Sequence, residues 1–481
     1  MISVQGRPTP GRDGIGRREI LRAGALSLFG MSLDRVLKAE AATAARGKAK
    51  SVILLYLFGG PSIHETFDPK PDAPVEYRGE FGSTPTSVPG VHFCEHLPKM
   101  AKWMHRSTLI RSAGHNVNEH DAGSYYALTG MPPDAQQALT QDASKAPSLS
   151  AVFQYLARDE SRSLPASVWM PCPTGWGEKM VRPGPYAGYL GGKYDPLFTT
   201  FETEALRVPK DYPWDGRTFK GRIRLPDAIL HPDLKIDRLQ GRRELLADLQ
   251  RQAGRLGASE AYERFDAFHK KAFDILTDTA PDSPWRAFDL DEEPSRVQEA
   301  YGRNIFGQST LTARRLIERG ARFVTASWDT FSKLGGDSLA WDTHWHHFPI
   351  YKNNRLPELD HAYSALCADL QSRGLLDETL VVVMGEMGRT PKINNNKGGG
   401  RDHWSYLQNV LLTGAGVQQG MVYGSSDKKG QMPESNPVGP ADLIATIYAA
   451  LGIDPSTLIQ DQAGRLRPIL ADGEPIRKIL A

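Results

Sequence analysis

The run SVILLYLF, residues 51–58, followed at once by GGPSIHETFDP, residues 59–69, decides how the chain is read. Mostly apolar, β-favouring residues without strict alternation describe a strand buried on both faces, the habit of a parallel sheet covered by helices. Gly59, Gly60 and Pro61 end that strand in a sharp turn. The polar stretch beyond sets His64 and Glu65 just past the strand's carboxyl end, which in an open parallel sheet is the edge where ligands bind.

The pattern recurs along the chain. STLIRSA (107–113), ASVWM (166–170), ARFVTASW (321–328), TLVVVM (379–384) and NVLLT (409–413) read as further strands. QSTLTARRLIERG, LDHAYSALCADLQSRG and ADLIATIYAALG read as helices, closing on Gly320, Gly374 and Gly452, where a left-handed C-cap is wanted. Strand, loop, helix and strand again is the grammar of an α/β fold. The spacing therefore predicts one α/β domain over 45–481, with a mostly parallel central sheet and helices on both faces. An insertion at about 171–303 interrupts it, rich in Gly, Pro, Tyr and Trp to 235 and charged and helical afterwards.

Composition narrows the function. The 481 residues are 40% hydrophobic and 24% charged, an ordinary globular balance, and no run of 18 apolar residues offers a membrane span. Lys and Arg number 58 against 56 Asp and Glu, so the basic excess that nucleic-acid binding leaves on a sequence is missing. Cys94, Cys172 and Cys367 lie too far apart in sequence for a metal knuckle or a disulfide framework.

Residues 1–44 read as an address. Arg17 and Arg18 precede the apolar segment AGALSLFGMSLDRVL and the small-residue run AEAATAA, the order of a twin-arginine export signal. This predicts the twin-arginine translocase as a partner and a periplasmic or extracellular destination. That route carries folded chains, and loading a metal before export is one chemical reason to fold first.

Metal donors do gather at the strand ends. Residues 51–58 lead to His64 and Glu65, residues 107–113 to GHNVNEHDAGSYYALTG, residues 321–328 to DTFSKLGGDSLAWDTHWHHF and residues 379–384 to GEMGRTP. A fifth cluster, GGGRDHWSY, stands just before strand 409–413 and can fold back over the same edge. His, Asp and Glu arriving together can enclose divalent ions. Asp342 and His344 share a side in extended backbone, whereas a helical turn would align Asp342 with His346 instead, so either histidine is open as the ligand; His347 faces away.

In order, GGPSIHETFDPKP, HNVNEHDAGSYYALTG, YGRNIFGQSTLTARRLIERGARFVTASW, WDTH, RGLLDETLVVVMGEMGRTPKIN, GRDHW and PVGPADLIATIYAALGIDP resemble an exported, sulfatase-like family catalogued as a domain of unknown function, number fifteen hundred and one. Its superfamily is that of alkaline phosphatases and sulfatases. The resemblance implies an alkaline-phosphatase-like fold and a hydrolase of phosphate or sulfate esters using divalent metal (Zn, Ca, Mg or Mn). It implies Glu65, Asp342, His344, Glu386 and His403 as metal ligands, and an anionic ester or a sulfated or phosphorylated glycan as substrate. Two departures stand out. After the first strand the usual histidine is displaced by one and Asp is replaced by Glu65. The position that sulfatases mature to formylglycine is His120, and no C-x-P-x-R run exists, so formylglycine chemistry is excluded.

His120 then stands as metal ligand, general base or, less naturally, covalent nucleophile, with Ser124 a poorer nucleophile. Arg389, with Lys392, is the expected oxyanion partner, since a guanidinium offers a bidentate fork. A non-catalytic binding or cell-surface protein is the alternative, because loss of the usual nucleophile is what such a protein shows and fold never guarantees chemistry. Trp176, Tyr186, Tyr189, Tyr212 and Trp214 in the insertion are then either sugar-stacking platforms or packing anchors.

Overall fold

Every residue from Ser51 to Leu57 is buried, and this strand, β1, forms the middle of an eight-stranded sheet. The structure, a computed structural model, describes residues 49–134, 146–157, 164–175, 181–203, 220–225, 241, 244–245, 280, 282–329 and 340–481. The export segment, Trp176, Tyr212, Trp214 and most of the charged helical stretch expected from 236 lie outside these residues.

The remaining strands are β2 (Ser107–Ala113), β3 (Ser167–Met170), β4 (Leu197–Phe198), β5 (Phe323–Trp328), β6 (Thr379–Met384), β7 (Gln408–Gly414) and β8 (Met421–Tyr423). They lie in the order β8-β2-β7-β6-β1-β5-β3-β4. β1 is flanked in parallel by β5 and β6, and β3 continues the parallel row. Strand β7 runs against both β6 and β2. Its reversal explains how GGGRDHWSY, which precedes it, reaches the same edge as the segments that follow β1, β5 and β6.

The helices α1 (His120–Thr129), α2 (Leu149–Leu156), α3 (Ile305–Glu318), α4 (Leu356–Ser372) and α5 (Pro440–Ala450) cover the sheet. Val52, Ile53, Leu55 and Leu57 are fully buried, and each such side chain contributes ~1.5–3 kcal/mol relative to exposure. The expected helix ends hold: Gly320, Gly374 and Gly452 all have positive φ. The insertion is less irregular than its sequence predicts. Leu197–Phe198 joins the sheet edge, and Thr200–Thr203 pairs with Gly221–Arg224, segments too short for periodicity to reveal.

Among the described residues no helix is long and apolar enough to cross a membrane.

Candidate metal centre

Gly59, two residues past the end of β1, is where the site begins. Its φ is +101°, and a Cβ there would sit 2.4 Å from the backbone nitrogen of Asp342, so only glycine lets these loops meet. Its N–H donates to both oxygens of Glu386, at 2.8 and 3.2 Å, fixing a fully buried carboxylate at the end of β6.

Three imidazoles then converge on one carboxylate. Each is anchored through Nδ1: His120 to Glu386 Oε1 at 2.7 Å, His344 to Asp402 Oδ1 at 2.6 Å, and His403 to the backbone oxygen of Asn118 at 3.0 Å. Each presents Nε2 to Asp342, at 3.2, 2.8 and 3.3 Å respectively. The Nε2 atoms of His344 and His403 are 3.1 Å apart. Among the described residues, His120, Asp342 and His403 are the group of three metal-ligating side chains whose donor atoms all lie within 4.8 Å of one another.

The local folding explains the convergence. His120 opens α1, whose N-cap Glu119 accepts from the N–H of Ala122 at 3.0 Å. Arg389 and His403 pair across a two-residue antiparallel ladder, Gly388–Arg389 with His403–Trp404. Gly400 passes so close to the carbonyl of His344 that a Cβ would fall 1.8 Å from it, which brings Asp402 onto His344.

The electrostatics follow from this crowding. Burial alone disfavours a charged His120, but the Asp342 and Glu386 carboxylates outweigh it and push the imidazole up to about 9. Burial raises Asp342, while Arg389 and the three histidines more than reverse this and hold it far below the usual carboxylate range. Asp342 raises His344 as well, against its burial. His120 Nε2 and Asp342 Oδ1 are buried and make no directed hydrogen bond, although their ion-pair contacts are short.

These residues fit a divalent ion. Four donors at ~2.0 Å in a tetrahedron lie ~3.3 Å apart; each Nε2 lies 2.8–3.3 Å from an Asp342 oxygen, Oδ2 for His120 and Oδ1 for His344 and His403. Anchoring each Nδ1 to an oxygen fixes the tautomer that leaves Nε2 as ligand, the usual outer-shell arrangement of metal histidines. Asp342, Glu386 and Asp402 set three carboxylates around the imidazoles against the one guanidinium of Arg389.

Two expected site residues are placed otherwise. Glu65 is not among the converging donors: Arg401 grips both its oxygens, at 2.9 and 2.7 Å, and His347 Nε2 lies 3.1 Å away. Arg389 is fully buried and donates to the carbonyls of Gly59, Gly60 and Arg401 as well as meeting Asp342 at 2.5 Å. Its guanidinium is thus engaged with Asp342 and the β1 loop carbonyls, where the sequence reading expected an oxyanion partner. Asp342, His344, Glu386, His403 and His120 are brought together; His346 is left outside, and His347 faces Glu65 and Thr343. Lys392 is exposed. Ser124 is buried and accepts from Tyr56 at 3.0 Å, out of reach of a substrate. Tyr189 packs under Arg467, as an anchor rather than a platform.

Sequence reasoning missed Asp402 as the partner of His344, although it stands in the GRDHW run beside His403. It also missed Arg182, whose guanidinium binds Asp121 at 2.5 Å and covers the Phe58 ring that packs against His120. Nothing in the irregular insertion marks Arg182 out.

Several solved structures align over most of the chain. They include the lipoteichoic acid synthase LtaP from Listeria monocytogenes (9% identity, 85% of this chain and 74% of that one, TM-score 0.35). They also include the phosphonate monoester hydrolase SpPMH from Silicibacter pomeroyi (11%, 89% and 76%, TM-score 0.33) and the PsFucS1 sulfatase from Pseudoalteromonas sp. (12%, 87% and 70%, TM-score 0.34). Superpositions this loose carry no argument about chemistry. No curated protein matches the chain. One family does, over residues 49–480, and the chain therefore belongs to the family described as "Protein of unknown function (DUF1501)".

Proposed function

We propose that this protein is a metal-dependent hydrolase of phosphate or sulfate esters, exported by the twin-arginine route. The observation that carries the reading is the convergence of three Nδ1-anchored imidazoles on Asp342. His120, His344, His403 and Asp342 would hold the ion. Three nitrogens and one oxygen suit zinc or a similar transition metal better than calcium or magnesium, which take oxygen ligands. A divalent ion supplies Lewis-acid chemistry to an anionic ester.

The chain's own residues do the rest. Glu386, held by the Gly59 N–H, orients His120 and can exchange a proton with it at Nδ1. Asp402 orients His344, and Arg389 holds Asp342 in place. The arginine pair at Arg17 and Arg18, with the apolar and small-residue segments behind it, supports export.

The test is to strip the protein of metal, reload it separately with zinc, manganese, magnesium or calcium, and assay phosphate, phosphonate and sulfate monoesters with and without chelator. Chelator-sensitive turnover is expected. His120→Ala should cost at least ~10²- to 10⁴-fold in rate. Ester binding without turnover under any metal would favour the non-catalytic alternative.

A further inference from the structure

Glu65 and His347 are donors of the metal-binding kind, and Glu65 follows the central strand toward the edge where Asp342 and Glu386 converge. Yet they face a guanidinium. All five N–H donors of Arg401 are spent: Nε on Glu65 Oε2 at 2.9 Å, Nη2 on Glu65 Oε1 and the carbonyl of Tyr77, both at 2.7 Å, and Nη1 on the carbonyls of Thr390 and Pro391 at 3.1 and 2.5 Å. His347 completes the group, with Nε2 on Glu65 Oε2 at 3.1 Å and Nδ1 on Thr343 Oγ1 at 2.6 Å. Arg401 and His347 are fully buried and Glu65 nearly so.

This group is joined to the back of the candidate metal centre. The Arg401 N–H donates to the carbonyl of Thr343, the residue between Asp342 and His344, at 3.1 Å. Its own carbonyl accepts from Arg389 at 3.3 Å. Arg401 also stands two residues before His403.

We infer that the Arg401 guanidinium occupies the place a second divalent cation would take between Glu65 and His347, so that the centre binds a single ion. This rests on the reading of His120, His344, His403 and Asp342 as the metal centre. Its physical basis is charge and lone pairs: an immovable cation already satisfies both Glu65 oxygens, and neither His347 nitrogen is left to coordinate.

The experiment counts ions. Full-length protein freed of metal is titrated with Zn²⁺, desalted and analysed for zinc, with thermal melting as the fold check. The wild type should retain one ion per chain. Arg401→Met removes the cation but leaves Glu65 and His347, and should take up a second, weaker ion. Should that variant fail to fold, Glu65→Gln carries the test: it should keep one ion, and the visible absorption of its Co²⁺ form should match that of the wild type. Two ions in the wild type, a folded Arg401→Met that stays at one, or a Glu65→Gln that loses its ion or changes its Co²⁺ spectrum would overturn the inference and leave the metal centre standing. A wild type that retains no ion rejects the metal centre itself.

Discussion

Two clusters in this fold use the same ingredients to opposite ends. In one, His120, His344 and His403 crowd around Asp342 with partly exposed side chains and more carboxylates than guanidinium groups. In the other, Glu65 and His347 are sealed around Arg401, with charge and hydrogen bonds closed on themselves. The lesson is that a carboxylate beside a histidine says little until the nearest arginine is located. Arg389 meets Asp342 with one nitrogen and leaves it three imidazoles, whereas Arg401 takes both oxygens of Glu65. A site with unspent charge can bind; a site with balanced charge can only hold.

The contrast breaks most sharply at Asp342. Removing its charge by Asp342→Asn should weaken zinc binding by more than the ~100-fold upper limit for outer-shell residues, measured by competition with a chromophoric chelator. Retention of wild-type affinity would show that the imidazoles do not converge for a metal.

The sealed cluster should fail in stability instead. Glu65→Ala leaves Arg401 buried without its partner, and breaking such a pair costs ~3–5 kcal/mol. Urea unfolding of the metal-free protein reads this directly. A loss below ~1 kcal/mol would mean that the triad is looser than its geometry implies.

The outer residue Asp402 separates the two behaviours within one variant. Asp402→Asn weakens the anchor of His344 Nδ1, so zinc affinity should fall by ~10- to 100-fold. Because Asp402 is only partly buried, the melting temperature of the metal-free protein should barely move. A large melting shift with unchanged affinity would assign Asp402 to the fold rather than to the ion.

Much of this was legible in the sequence, for reasons that vary by element. SVILLYLF and TLVVVM announce central strands because burial on both faces leaves no polar position to confuse the pattern. Asp342, His344, Glu386 and His403 were legible because strand ends fix where their loops begin. The surroundings of Glu65 were not legible because they are set by Arg401, 336 residues away, and no local pattern reports a partner at that distance. For Arg389 the fork was visible, but its burial against the carbonyls of Gly59 and Gly60 was not.

The last effect, a pH dependence, concerns a carboxylate in neither cluster. Asp360, on α4, is buried and accepts N–H bonds from Lys99 and Met100, capping the short helix Met100–Arg106. Burial pushes its carboxyl up to about 6 despite those backbone bonds. The folded state therefore binds this proton more tightly than the unfolded chain, where Asp titrates near ~3.9. Its contribution is fully present below that value and is lost as pH rises through about 6, by at most about 3 kcal/mol. His64 slopes the other way, since burial lowers it to about 4 and protonation of the unfolded chain favours unfolding as pH falls. Subtracting the unfolding free energy of Asp360→Asn from that of the wild type, pH by pH, cancels the His64 contribution. The difference should decline between about pH 4 and pH 6 and flatten beyond. A difference independent of pH would show that Asp360 titrates in the folded protein as it does in the unfolded one, and that its backbone bonds fully offset its burial.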